Sequence, residues 1–162
     1  MSANRGNEGY EAGGLYIILS LLPNDGMHWG LFLMVSHPWG NVYNATDSSG
    51  EWVLEEHMTE NVVGSQSIIV ALQIGSGIDE SQSTAVHGII TSTPVLRQGG
   101  FVARWNENFR CRVWVKDAIE RLRVADFVPD CDVQDIEDEA DSVARQAKNM
   151  GQRGIIQVSR EL

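Results

Sequence analysis

The chain has 162 residues, the size of a single domain, and its 43% apolar and 21% charged residues are those of an ordinary folded chain, which excludes wholesale disorder. Formal charge is 12 − 22 = −10 at pH 7, a field that repels nucleic acid and anionic membranes and leaves only a small basic face for either. Two cysteines, Cys111 and Cys131, without C-x-x-C spacing exclude a disulfide scaffold and a structural zinc site.

Residues 1–14 are rich in Gly, Asn and Glu and lack an apolar core, which predicts a disordered tail and no signal peptide. A single α+β domain is then expected over 15–151, with 152–162 a C-terminal tail or an edge strand. LYIILSLL (15–22) is an apolar run of strand length, far short of the ~20 residues that span a bilayer. Pro23-Asn24-Asp25-Gly26 reads as a turn, and MHWGLFLMVS (27–36) completes an antiparallel hairpin buried on both faces. His37-Pro38-Trp39-Gly40 breaks it. NVYNATD (41–47) and EWVLEEH (51–57) predict a second hairpin, and SIIVALQIG (67–75) a fifth strand. TAVHGIIT (84–91) fits a short helix or a strand equally well, ended by Pro94. Residues 97–108 are irregular.

From Phe109 the period turns helical. Cys111, Trp114, Val115, Ala118, Ile119 and Leu122 share one face, with Asn106 or Asn108 as N-cap. A second helix over about 132–149 carries the stripe Val133, Ile136, Ala140, Val143, Ala144 and Ala147, with Gly151 at its C-terminal cap. The expected architecture is an antiparallel sheet of about five strands packed against two or three helices.

Cys111 is the most informative residue. It falls two or three positions into a predicted helix, where free N–H groups and the positive dipole end stabilise a thiolate, and Arg110, Arg112 and Lys116 surround it. Such a thiolate is a nucleophile when a base stands beside it; the bland alternative is a core cysteine on the apolar face. His28, early in an apolar strand, needs a partner there, either a thiolate or a backbone carbonyl. Gly30 on the same face leaves room for a substrate or for the helix that carries Cys111.

The order of a His on a strand followed by a Cys at a helix start resembles the circularly permuted papain-like cysteine enzymes, a group that includes the PPPDE peptidases and the lecithin:retinol acyltransferase and permuted NlpC/P60-like proteins. The residues that carry it are His28-Trp29-Gly30-Leu31-Phe32 and Phe109-Arg110-Cys111-Arg112-Val113-Trp114-Val115. The chain also resembles small fungal proteins that pair an H-W-A/G-L strand and a Y-H strand with an N-C-R-x-W-V-K helix start, over about residues 15–125. The resemblance implies a permuted papain-like fold, Cys111 as nucleophile, His28 as general base and Asn44 as the group that orients the imidazole. Asn44 stands where those proteins carry a His, and Arg110 where they carry a small amide.

That chemistry is acyl transfer from an amide, ester or thioester to water or to an amine in a biosynthetic pathway. Oxyanion donors would be the Cys111 N–H with Asn106, Asn108 or Gln98. No cofactor is called for. His37, His57 and His87 make no metal-binding pattern, so no metal is assigned. Cys131 lies among carboxylates that raise its pKa. Seven of the twelve basic residues lie within 97–123, and seven acids within 130–141. Two solvated faces that partly neutralise one another is one reading. An anionic small-molecule, peptide or carrier-bound acyl substrate (aminoacyl-tRNA the only nucleic acid in view) is the sharper one. Its expected contacts are Trp29, Trp39, Trp105, Asn108, Arg110 and Arg112. A cytoplasmic enzyme without membrane attachment is expected; the rival is a non-catalytic interaction module of the same fold, with the acidic helix as its surface.

Overall fold

A computed structural model describes residues 6–24 and 26–162. The architecture is α+β. Six strands, β1 (Leu15–Leu21), β2 (Met27–Ser36), β3 (Trp39–Thr46), β4 (Val53–Thr59), β5 (Ile68–Gly75) and β8 (Ile155–Val158), form one sheet in the order β4-β3-β2-β1-β5-β8. The two expected hairpins are its β1–β2 and β3–β4 pairs, both antiparallel. The sheet is mixed rather than wholly antiparallel, because β8 joins β5 in parallel register at the edge. Residues 152–162 thus contribute an edge strand.

The order β1, β5, β8 follows from apolarity. β1 and β5 are buried along almost their whole length on both faces, so each needs a strand neighbour on both sides and cover above and below. One face carries Leu15, Ile17, Leu31, Leu33, Val70 and Leu72 under three helices: α2 (Glu80–Ser92), α3 (Cys111–Val124) and α4 (Val133–Asn149). The other carries Tyr16, Ile18, Phe32, Met34 and Val42. That second face is closed by Val62 of a short helix, α1 (Val62–Gln66), and by Tyr10. Residues 6–14, expected to be loose, are therefore packed on the sheet. The Tyr10 ring meets Tyr16 and Phe32 edge-on at 5.0 and 5.2 Å, and Asn7 bonds Pro38 O, Thr59 O and Val62 N. Composition concealed this, since two anchoring side chains, Asn7 and Tyr10, suffice to dock a nine-residue segment otherwise made of Gly, Glu and Ala.

The ambiguous segment 84–91 is helical and longer than its apolar pattern. Asp79 accepts from Gln82 N while Gln82 returns a bond to Asp79 N, a capping box that starts α2 before its first apolar residue. α4 begins at Asp132, whose side chain caps Gln134 N, and Gly151 follows its end at φ +67°. The irregular stretch holds a two-residue hairpin, β6 (Phe101–Val102) and β7 (Glu107–Asn108).

Candidate active site

α3 starts at Cys111 itself, with Arg110 as an extended N-cap that offers no side-chain bond; neither Asn106 nor Asn108 caps it. The preceding residue is pinned instead. Phe109 N donates to Gly100 O at 2.7 Å, and its ring stands edge-on to Trp52 at 5.4 Å. One turn on, fully buried Trp114 donates from Nε1 to Thr93 O at 3.3 Å. All six residues of the predicted apolar face are buried, so the helix is clamped with Cys111 at its sheet-facing end.

β2 opens there. Its ladder with β3 runs from Ser36↔Trp39 to Leu31↔Tyr43 and stops, while β3 continues to Thr46 on β4. His28, Trp29 and Gly30 lie on the splayed end, and Cys111 sits at the opening. The Trp29 N–H and the Arg112 N–H of the first helical turn both act on the Cys111 sulfur and favour its thiolate. His28 projects from the opposite face of β2 to Trp29. Cys111 and the buried Asn44 side chain are the polar groups that act on it most directly, and the charge of Glu55 acts on it too. Glu55 is the direct β4 partner of Asn44. The structure therefore brings Cys111, His28 and Asn44 together from α3, β2 and β3.

Electrostatics follow that geometry. Burial pushes the Cys111 thiol up, but bonds from His28 and from the Trp29 and Arg112 amides, with the imidazolium charge, outweigh it and hold the thiol below its ordinary range. His28 is held above the usual imidazole range, first by its bond to Cys111, against the opposing effect of burial, and further by the thiolate charge, Asn44 and Glu55. Cys131 moves the other way: burial raises it, reinforced by Glu161, Asp135 and Asp130.

A cleft of about 270 Å³ opens onto Cys111. Trp29 and Met27 form its β2 wall, Arg110 and Arg112 flank the sulfur, and Asp141, Arg145 and Lys148 of α4 face it. Of the expected contacts, Trp29, Arg110 and Arg112 line this cleft; Trp39, Trp105 and Asn108 do not. Trp39 is paired with Ser36, eight residues along β2 from His28, roughly 26 Å away. Trp105 lies under Lys116 and Arg104, whose charges sit 4.8 and 5.3 Å from its ring centroid. Asn108 is exposed in β7. Asn106 and Gln98 do not line the cleft either. Nor does Gly30 make room for substrate: a Cβ there would meet Tyr43 O at 3.0 Å and Asn44 Cβ at 3.3 Å, so its absence admits β3.

Arg112 also belongs to a charge quartet. Together with Lys116, whose side chain is 2% exposed, it faces Glu107 and Glu137. Lys116 Nζ lies 2.9 Å from Glu107 and 3.1 Å from Glu137, and Arg112 Nε lies 3.0 Å from Glu137 at an angle outside that of a hydrogen bond. The basic segment and the acidic helix are thus interlocked rather than two separate solvated faces. Arg123–Asp130 at 2.6 Å repeats the pattern.

Arg145, Lys148 and Glu55 were not foreseen. The first two stand one turn apart near the end of a helix, a spacing that sequence alone reads as complementing the helix dipole. The remaining histidines lie elsewhere: His87 Nδ1 is 2.8 Å from Tyr43 Oη and His57 Nε2 is 3.1 Å from Gln66. Among the described residues no cluster of three His, Cys, Asp or Glu side chains could hold a metal ion, and no helix is long and apolar enough to cross a membrane. Compared with known protein families, curated proteins and solved structures, the chain matches none.

Proposed function

We propose that the protein is a thiol-dependent acyl-transfer enzyme of permuted papain-like type, acting on an amide, ester or thioester. What carries this reading is the mutual action of His28 and Cys111, the thiol held down and the imidazole held up, with Cys111 lining a cleft and Asn44 acting on the imidazole. The Cys111 thiolate attacks the acyl carbon, and the S–C bond forms as the bond to the leaving group breaks. The His28 imidazolium gives its proton to the departing nitrogen, oxygen or sulfur. Water or an amine then attacks the thioester, loses its proton to His28 and releases the thiolate. The first-turn N–H groups of α3 are the nearest donors for the developing oxyanion. A carrier-bound acyl donor fits an open cleft better than it fits a closed cavity.

The non-catalytic alternative is favoured by one observation: Cys111 is only 9% exposed and packs with the main core. Alkylation by iodoacetamide across pH, with each cysteine followed by mass spectrometry, separates the two. A catalytic pair predicts a Cys111 inflection well below the ~8.5 of an ordinary thiol, which moves up in His28→Ala because burial then acts with less opposition. An inert Cys111, or a profile indifferent to His28, favours the interaction module.

A further inference from the structure

His28, Asn44 and Glu55 belong to three successive strands and share the face of the sheet that carries Phe32, Met34 and Val42, away from α2, α3 and α4. A Cβ on Gly30, the next residue on that face of β2, would stand 3.3 Å from Asn44 Cβ. Asn44 is in turn paired directly with Glu55 in the β3–β4 ladder, where paired residues hold their Cβ atoms about 4.5–5.5 Å apart on one face. On its other flank His28 is paired with Ser20 of β1, which carries no charge. Asn44 is buried, so its amide oxygen and its NH2 both need partners. Glu55 is exposed at the sheet edge and makes no ion pair among the described residues. Its neighbours on β4 are engaged elsewhere: Glu56 lies 3.7 Å from His87, and His57 3.1 Å from Gln66 of α1. The charge of Glu55 favours the protonated His28 ring.

We infer that Glu55 is a positioning residue for the thiol/imidazole pair: its carboxylate accepts from the Asn44 NH2 and so holds the Asn44 oxygen towards the His28 ring. The inference rests on His28 and Cys111 being the reacting pair and adds a member to their support. An imidazolium donates from both ring nitrogens. One N–H serves the Cys111 sulfur, and the other needs an acceptor. An amide can offer that ring either its oxygen or its NH2, and the second choice would set donor against donor. A carboxylate accepts only, so on the far side of Asn44 it admits one orientation of the amide. Asn44 then supplies the acceptor, and Glu55 supplies the negative charge that an amide lacks.

The test is a double-mutant cycle of Glu55→Ala with Asn44→Ala. It is read on the NMR titration of His28 and on the rate at which iodoacetamide alkylates Cys111 at pH 6. Glu55→Ala should lower the His28 pKa and slow Cys111 by about 2- to 5-fold, the size of an exposed charge's effect. In the Asn44→Ala background the same substitution should do less than half as much, because the group through which Glu55 acts is gone. A merely structural residue would move neither the titration nor the pH 6 rate. Equal effects in both backgrounds show a field acting on His28 without Asn44 and overturn the inference, as does no effect in either. Should Asn44→Ala fail to fold, the side-chain NH2 resonances of Asn44 decide: a shift between wild type and Glu55→Ala upholds the contact, and unmoved resonances overturn it. A Cys111 inert at every pH refutes the thiol chemistry instead. The His28 titration, which needs no reactive thiol, then still decides whether Glu55 acts through Asn44.

Discussion

Replacing Gly30 by Ala should perturb the site without unfolding the protein. Gly30 has no positive φ, so the added methyl meets only a question of space. Its Cβ would stand 3.0 Å from Tyr43 O, 3.3 Å from Asn44 Cβ and 3.4 Å from Ile18 Cγ1. The first two must retreat by a few tenths of an ångström; Tyr43 is the last β3 residue paired with β2 and Asn44 lies just beyond that ladder. Overpacking costs about 1–3 kcal/mol, and the lost freedom of the unfolded chain returns about 0.4–1, for a net loss of about 1–2 kcal/mol. At about 2–4 °C per kcal/mol for a domain of this size, Tm falls by several degrees. The retreat carries Asn44 away from His28. Asn44 is one of the groups that hold the His28 pKa up, so its retreat lowers that pKa. The assay is an NMR titration of the His28 Cε1–H, assigned by its absence in His28→Ala. Gly40→Ala is the control, since its Cβ would fall 2.3 Å from Phe32 Cζ at the far end of β2. It should cost more stability and leave His28 unmoved. A Gly30→Ala protein with the wild-type titration, or a Gly40→Ala protein with an equal shift, would refute the argument.

Lys116→Met leaves Glu107 and Glu137 facing Arg112 alone. A cost of about 3 kcal/mol is expected, at the low end for a broken buried pair because Glu107 keeps some solvent, and Glu137→Gln in the same chain should recover part of it by calorimetry. The two cysteines should titrate on opposite sides of ~8.5, Cys111 below and Cys131 above; site-resolved alkylation in which Cys131 reacts at the lower pH contradicts the assigned surroundings. Glu139 is buried and accepts from Ser159 Oγ at 2.6 Å and Arg160 N at 2.9 Å, tying the C-terminal residues to α4. Glu139→Ala should strand those donors at about 1–3 kcal/mol, and hydrogen exchange should then quicken along β8 while β1 stays protected.

Much of this protein is local and therefore legible in one dimension. The apolar runs 15–22, 27–36 and 67–75 are strands because so continuous a hydrophobic stretch needs cover on both faces. The face Cys111–Leu122 is a helix because its period allows one buried stripe. The nucleophile and base candidates were visible for the same reason: a thiol at a helix start and an imidazole in an apolar strand are each anomalous where they stand. What tertiary structure alone decided depends on pairs distant in sequence. The parallel docking of β8, the seating of Tyr10 on the second face, the parting of β2 from β3 that admits Cys111, and the convergence of Arg110 with Arg145 and Lys148 all join segments tens of residues apart. No periodicity records such meetings, because each is fixed by how the two faces of one sheet are filled. The Trp residues show the same limit: five large rings looked alike in sequence, and only the register of β2 on β3 put Trp29 at the thiol and Trp39 at the opposite end.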